Sequence, residues 1–219
     1  EQLLCRIATL HHTGHTSLAY KLLENKFGPF DELRDDNSVC DWLDRHSHVV
    51  HERNLEIVAQ ILSDSLLYQE ALKLLLYLNE LDNGQNRRIT FCIAECQHGI
   101  GNHEAALQTL QTLDCQSSGK KQLKQGIIFV DLRKLENAEM HLLSALQSYF
   151  EDACNEPKYD YYGNQVKPQS TPNSPLTDLS MLSARDRLNL LQHPTPGILK
   201  CIESLAKLYQ EKHETDIET

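Results

Sequence analysis

Histidine and cysteine are the residues of this chain whose chemistry could bind a metal ion. Two short groups stand out among the 11 histidines, and Cys92 and Cys96 lie one helical turn apart with His98 close behind. A structural zinc site needs four convergent ligands with supporting contacts around them, and no four-ligand spacing occurs here. We therefore predict no metal and no cofactor, with the cysteines packed as small apolar groups. The histidine groups are His11, His12 and His15, and His46, His48 and His51.

Catalytic motifs give no stronger signal. The sequence has no phosphate-binding loop, no nucleophile elbow and no HExxH, so we predict no catalytic residues and no enzyme activity. Three Ser/Thr-Pro steps, at Thr171, Ser174 and Thr195, are candidate sites for proline-directed kinases. Such dipeptides are also frequent in any linker rich in proline and serine. The alternative that these three are ordinary linker residues therefore stays open.

The amino-acid composition limits which kinds of partner this chain could bind. The net charge is −10, and no basic run exceeds two residues, which disfavours nucleic acid because a phosphate backbone needs a basic face. No apolar run approaches the length of a membrane span, so none is predicted. Seven scattered cysteines, an odd number, favour reduced thiols and an intracellular protein, cytoplasmic or nuclear. Because the chain begins at Glu1, we expect it to be part of a longer protein.

A helical segment recurs three times between Arg53 and Ala145. Each copy carries two small residues twelve positions apart, and the second small residue advances by 35 and then by 32 positions. This spacing is close to the roughly 34-residue period of a helix–turn–helix repeat. A similar segment, ILKCIESLAKLYQEK, follows at the end of the chain. The small residues predicted to lie where helices cross are Ala59, Ala71, Ala94, Ala106, Gly126, Ala138 and Ala206.

These patterns predict an all-α chain in four parts. Residues 1–50 form an N-terminal helical cap, residues 51–155 form three helix pairs, and residues 197–219 form the first helix of a further pair. Residues 156–196 hold six of the seven prolines and predict a loop insert with one short helix at 181–192. Small residues at helix crossings let the backbones approach closely, and each pair must stack on the next to bury its apolar stripe. An unrelated helical bundle is the alternative.

The repeats resemble the tetratricopeptide family. The series Gly126, Phe129, Ala138, Leu142 and Ala145 matches the small, aromatic, small, large, small pattern of that family, and the last segment fits its first helix. The resemblance implies antiparallel helix pairs stacked in a right-handed superhelix. The repeats are degenerate, because Thr90, Gln97 and Gln122 stand where the family favours large apolar or aromatic residues.

The same resemblance implies a binding groove lined by the first helix of each pair. Its residues lack the basic clamp that some members use for a terminal carboxylate, and they favour a protein segment with apolar and basic residues. Phe91 would be the apolar anchor. Two alternatives stay open, that these are solvated helix faces and that Phe91 belongs to the core. The groove residues would be Arg53, Glu56 and Gln60, then Phe91, Glu95 and His98, then Leu123, Ile127 and Asp131.

The expected function is therefore that of a non-enzymatic scaffold for protein–protein contacts within a larger assembly. The layout is similar to the N-terminal halves of repeat subunits of the anaphase-promoting ubiquitin ligase, which implies a homodimer as one arrangement. Trafficking, ciliary or repair assemblies fit equally. The alternative is a regulatory domain associated with an enzyme such as a ubiquitin ligase, switched by phosphorylation of the insert.

Overall fold

The computed structural model is all-α in the residues that it describes, apart from one pair of two-residue strands; the sequence predicts the helices but not this pair. It describes residues 2–30, 33, 36–46, 52–113, 119–155, 158–159, 165–166 and 195–218. Lys158–Tyr159 pairs antiparallel with Gln165–Val166 inside the predicted insert. The described helices are α1 (Gln2–His12), α2 (Thr16–Phe27), α3 (Asp36–His46), α4 (Glu52–Asp64), α5 (Tyr68–Leu81), α6 (Arg87–Gly99), α7 (His103–Thr112), α8 (Gly119–Asp131), α9 (Leu135–Asn155) and α10 (Pro196–Glu218).

The predicted short helix at 181–192 lies outside the described residues. Between residues 52 and 155, six helices occur where the sequence predicts three pairs. The chain forms two compact units, Glu1–Asp114 and Cys115–Thr219, and each has its own core.

In the first unit each helix packs on its neighbours in sequence, from α4 to α7, and α1 and α2 also contact α4. The buried side chains recur every three or four residues, so each helix turns one apolar stripe inward. The cap is held by aromatic contacts. Trp42 is buried, and its ring centroid lies 5.8 Å from that of Phe27 and 5.6 Å from that of Phe30.

In the second unit α8 and α9 form an antiparallel pair, and α10 packs against both helices. Ala138, Leu142, Cys201 and Leu208 are fully buried in the core of this unit. A Cβ atom placed on Gly126 would lie 2.6 Å from Cγ of Leu142, which is closer than carbon atoms approach without overlap. The absence of a side chain at 126 therefore allows the close contact between α8 and α9.

The turns inside the three pairs share one geometry. A residue with positive φ occurs at Leu66 (68°), Gly101 (90°) and Arg133 (55°), and these positions advance by 35 and 32, as the small residues do. At each turn the next backbone N–H donates to the carbonyl five residues earlier, at 2.9 Å, which is the hydrogen bond of a Schellman helix end. The repeat is thus a property of the backbone as well as of the sequence.

Candidate partner-binding surfaces

The first helices of adjacent pairs, α4 and α6, are joined by a row of polar contacts. Arg88 Nε lies 2.7 Å from Glu56 Oε1, the Cys92 thiol donates to Gln60 Oε1 at 3.5 Å, and the Cys96 thiol donates to Ser63 Oγ at 3.7 Å. The partners are 32, 32 and 33 residues apart, so the row follows the repeat with about one contact per turn. Part of the predicted groove thus connects one repeat to the next.

Two apolar members of the predicted groove are not exposed. Phe91 is 8% exposed and Leu123 is 7% exposed, so the prediction that these two side chains line an open groove is wrong. Burial of these side chains stabilises the fold instead, and Phe91 belongs to the interior, as the alternative reading held. Glu95 and His98 are half-buried, and the ring of His98 lies 5.3 Å from that of His103. The side chain of Arg53 lies outside the described residues.

The remaining predicted groove residues lie in the second unit. Asp131 is exposed, and its Oδ1 lies 3.8 Å from Nζ of Lys207 on α10. Ile127 is half-buried and lines a shallow groove between α8 and α10, together with Val130 and Ser204. These residues join α8 to α10 in the way that the polar row joins α4 to α6.

Six of the seven small residues that the sequence predicts at helix crossings are buried. Ala59, Ala71, Ala94, Ala106 and Ala138 are fully buried, and Gly126 is buried. Ala206 is exposed, whereas Leu205 and Leu208 beside it are buried against α8 and α9. The described residues place no helix against Ala206, so its role at a helix crossing stays a prediction.

Ala206 belongs to an exposed row along α10, which we call the α10 row and define as Leu199, Ile202, Ala206 and Tyr209. The spacing of three, four and three residues puts these side chains on one face of the helix. Leu199, Ile202 and Tyr209 are 46%, 44% and 48% exposed. Sequence analysis missed this surface because it placed the binding face on the other side of the first helices. The signal in the sequence was that apolar residues of α10 occupy two faces, with Ile198 and Leu205 on one and Leu199 and Ile202 on the other.

Helix α9 borders the α10 row. The hydroxyl of Tyr209 donates to Oε1 of Glu139 at 2.6 Å, and the ammonium group of Lys212 pairs with the same carboxylate. These two hydrogen bonds, that of Lys212 first, lower the pKa of Glu139, and the bond to Glu139 raises the pKa of Tyr209. Leu143, one turn after Glu139, is 45% exposed, and Met140 is 60% exposed. Helix α9 thus also exposes large apolar side chains beside the residue that contacts α10.

The histidines and cysteines singled out by the sequence have structural contacts. His11 Nε2 lies 2.7 Å from Asp64 Oδ2, and His46 Nδ1 lies 2.8 Å from the Trp42 carbonyl oxygen. Burial raises the pKa of Cys201 to about 11, so this thiol stays protonated near neutral pH and is a poor nucleophile. His12 and His15 are exposed. The side chains of His48 and His51 lie outside the described residues.

Of the three candidate phosphorylation sites, only Thr195 falls in the described part of the chain. Its Oγ1 accepts a hydrogen bond from the backbone N–H of Ile198 at 3.4 Å, which caps the first turn of α10. Thr171 and Ser174 lie outside the described residues.

Neither protein-family models nor characterised proteins nor solved structures match this chain. Among the described helices, none combines the length and the apolar content needed to cross a bilayer. The surfaces above are therefore interpreted from their own chemistry.

Proposed function

We propose that this chain is a non-enzymatic scaffold that binds protein partners within a larger intracellular assembly, built from tetratricopeptide-like helix pairs stacked as a right-handed superhelix. The recurrence of turn geometry at Leu66, Gly101 and Arg133, in step with the buried small residues, supports the repeat. The polar contacts between α4 and α6 support stacking of adjacent pairs, because they link first helix to first helix at the repeat spacing.

The α10 row is the observation that carries the binding function. Three large apolar side chains on one face, each nearly half exposed, form an unusual surface for a helix in water. Met140 and Leu143 on the neighbouring helix α9 are also exposed. The row has the three- and four-residue spacing with which one helix packs against another. A helix with a matching apolar stripe is therefore the kind of partner it fits.

This proposal moves the binding surface away from the groove predicted by the sequence. Phe91 and Leu123 are interior residues, and Glu56 and Gln60 already have partners across the repeat boundary. On α10, by contrast, the apolar groups of the row are exposed among the described residues.

The test is capture of partners from a cell extract by the tagged chain, followed by mass spectrometry. The wild type is compared with Ile202→Glu, which puts a charge in the centre of the α10 row. Leu76→Glu is the matched control, because Leu76 is 42% exposed on α5 and lies outside the row. We expect a set of proteins captured by the wild type and the control and lost with Ile202→Glu. Identical sets for all three chains would contradict a binding role for the row.

Thermal unfolding followed by circular dichroism accompanies the capture. Both substitutions exchange a partly exposed leucine or isoleucine for glutamate, so their effects on stability should be small and similar. Hydrogen exchange with a captured partner added should then slow along α10 in the wild type.

A further inference from the structure

We propose that His98 and His103 together bind a Zn²⁺ ion at the turn between α6 and α7. The inference is independent of partner binding by the α10 row. A ring nitrogen of His98 lies within 4.8 Å of a ring nitrogen of His103, and the two ring centroids are 5.3 Å apart. Imidazole nitrogens are among the ligands that zinc prefers. The site departs from the sequence prediction of no metal, which considered only the four-ligand spacings of structural zinc sites.

The turn that joins α6 to α7 fixes the backbone between the two histidines. His98 lies in the last turn of α6, and His103 is the first residue of α7. The N–H of Asn102 donates to the carbonyl of Gln97 at 2.9 Å, and the N–H of Gly101 donates to the carbonyl of His98 at 2.9 Å. These are the two hydrogen bonds of a Schellman helix end. Asn102 also caps α7 with its side chain, so both imidazole rings extend from ordered helix ends.

Helix α5 packs against the same turn. A Cβ atom placed on Gly99 would lie 2.6 Å from Cγ of Tyr68, so the tyrosine ring lies directly against the backbone next to His98. Gly101 has a φ of 90°, a conformation that glycine adopts without strain. Because the turn is held from this side, a metal ion would have to order little more than the two histidine side chains.

The Nδ1 atom of His103 is an acceptor or donor that the protein leaves unsatisfied. It is almost inaccessible to solvent, and no residue that the structure describes forms a hydrogen bond with it. An unsatisfied buried polar atom destabilises the folded state, and a water molecule or an ion is a usual explanation for one in a native structure. A Zn²⁺ ion beside this ring would supply a partner for the lone pair of a histidine nitrogen.

The spacing of the two rings is close to what zinc requires. Zinc binds histidine nitrogen at about 2.0–2.1 Å with tetrahedral angles, which places two ligating nitrogens roughly 3.3 Å apart. A modest rotation about the side-chain bonds of His98 or His103 brings the nitrogens to that separation. The remaining coordination positions are left to water. We therefore expect a weaker site than one with four protein ligands.

The charges around the histidines favour a cation. No lysine or arginine occurs in residues 89–119, and this stretch contains Glu95 and Glu104. Glu95 precedes His98 by three residues on α6, which puts both side chains on one face of the helix. Glu104 directly follows His103 on α7. Negative charge on both helices raises the local concentration of a divalent cation.

The turn between α1 and α2 provides a matched control. The N–H of His15 donates to the carbonyl of Leu10 at 2.8 Å, and Gly14 has a φ of 83°, so this turn has the same geometry. His12 and His15 flank the turn and are exposed. The ring of His12 contacts that of His11 and not that of His15. These two residues therefore show how well exposed histidines at such a turn bind zinc without the close pair.

Calorimetric titration with zinc chloride measures the affinity, after accessible thiols have been blocked with iodoacetamide. We expect the tightest site of the wild type to bind one ion. His98→Gln and His103→Gln should each raise its dissociation constant at least about tenfold, because one of two ligands is lost. The double variant His12→Gln with His15→Gln should leave the constant unchanged. Wild-type affinity in both single variants would overturn the site, and melting temperatures in EDTA show whether those variants are folded.

Chemical protection tests the wild-type chain itself, so it does not depend on the folding of a variant. Diethyl pyrocarbonate modifies accessible imidazole rings, and peptide mass spectrometry locates the modified residues. Zinc at about ten times the dissociation constant should slow modification of His98 and His103 roughly tenfold, since few sites are then free. His12 and His15 should react as before, and EDTA should restore the original rates. Equal slowing at all four histidines, or none at His98 and His103, would mean that zinc does not select this pair.

Discussion

Helices α8 and α10 carry the same row of positions, but only the row on α8 is covered. Alignment of Gly126 with Ala206 makes Gly119, Gln122, Gly126 and Phe129 the counterparts of Leu199, Ile202, Ala206 and Tyr209. Each of the four α8 residues lies against α9. Cβ atoms added to the two glycines would touch Ser148 and Leu142, and both Gln122 and Phe129 contact His141.

The comparison of the two rows shows that the apolar content of a row does not determine whether a helix covers it. The α8 row has two glycines and a glutamine, yet it lies under a helix. The α10 row has three large apolar residues, and the described part of the chain places no helix over it. The α10 row therefore has the large apolar residues of a buried surface although it is exposed, which is why we propose that it binds a partner.

The largest expected effect on the free energy of unfolding concerns the residue three positions before the small residue of a first helix. On α6 this residue is Phe91, which is buried, and on α10 it is Glu203, which is exposed. Phe91→Ala should lower the free energy of unfolding by roughly 3–5 kcal/mol, because it leaves a cavity. Glu203→Ala should change it by no more than about 0.5 kcal/mol. Urea titration followed by circular dichroism measures both. Equal stability of the two variants would mean that Phe91 is not an interior residue.

The next effect concerns the small residues themselves. Gly126→Leu should cost about 1–3 kcal/mol or more, since its side chain must displace Leu142. Ala206→Leu, the matched substitution on α10, should cost no more than about 0.5 kcal/mol because the site is open. Thermal unfolding of the two chains checks the contrast. A strongly destabilised Ala206→Leu chain would show that α10 is covered after all.

Sequence patterns predicted the helices well because helix formation depends on local spacing. The small residues at Ala71, Ala106 and Ala138 placed the pairs, and the structure buries all three. The turns were harder to predict. Of the three residues with positive φ in the repeat turns, only Gly101 is a glycine, whereas Leu66 and Arg133 carry side chains that seldom adopt this conformation.

The candidate site was harder to predict, because exposure depends on which helices pack together. Phe91 and Ile202 are both apolar residues on first helices, and nothing local to either residue separates core from surface. The links from Gln60 to Cys92 and from Ser63 to Cys96 join residues 32 and 33 positions apart. A single sequence gives no measure of such pairing, so Gln60 was assigned to an open groove and Cys92 and Cys96 to apolar packing.

A smaller effect is expected from His141, which helps to hold α9 on α8. Burial lowers the pKa of His141, with a further contribution from Lys121. In the unfolded chain the pKa returns to about 6.5. As the pH falls below that value, the unfolded state binds a proton first, so stability decreases until the pH passes the lower pKa of the folded state. Above about pH 7 His141 is neutral in the folded and the unfolded chain, so it no longer makes the stability depend on pH.

Melting temperatures measured from neutral to mildly acidic pH test this prediction. The wild type should lose more stability on acidification than His141→Gln, which cannot take up that proton. Comparing the slopes of the two chains removes the contribution of all other titrating groups. Equal slopes of melting temperature against pH for the two chains would show that the pKa of His141 does not fall on folding.

The smallest effect, on thiol reactivity, compares the two faces of α10. Cys201 lies on the face that packs in the core, opposite the exposed row, and its pKa of about 11 leaves little thiolate near neutral pH. Cys5 on α1 is exposed. Alkylation by iodoacetamide, followed by peptide mass spectrometry, should modify Cys5 at least about tenfold faster than Cys201, because Cys201 reacts only when α10 opens. Ile202→Glu should leave this ratio unchanged, since it alters the exposed face alone. Equal rates at Cys5 and Cys201 would mean that α10 is detached from the core much of the time. The exposed row would then be one face of a loosely attached helix and not a fixed surface.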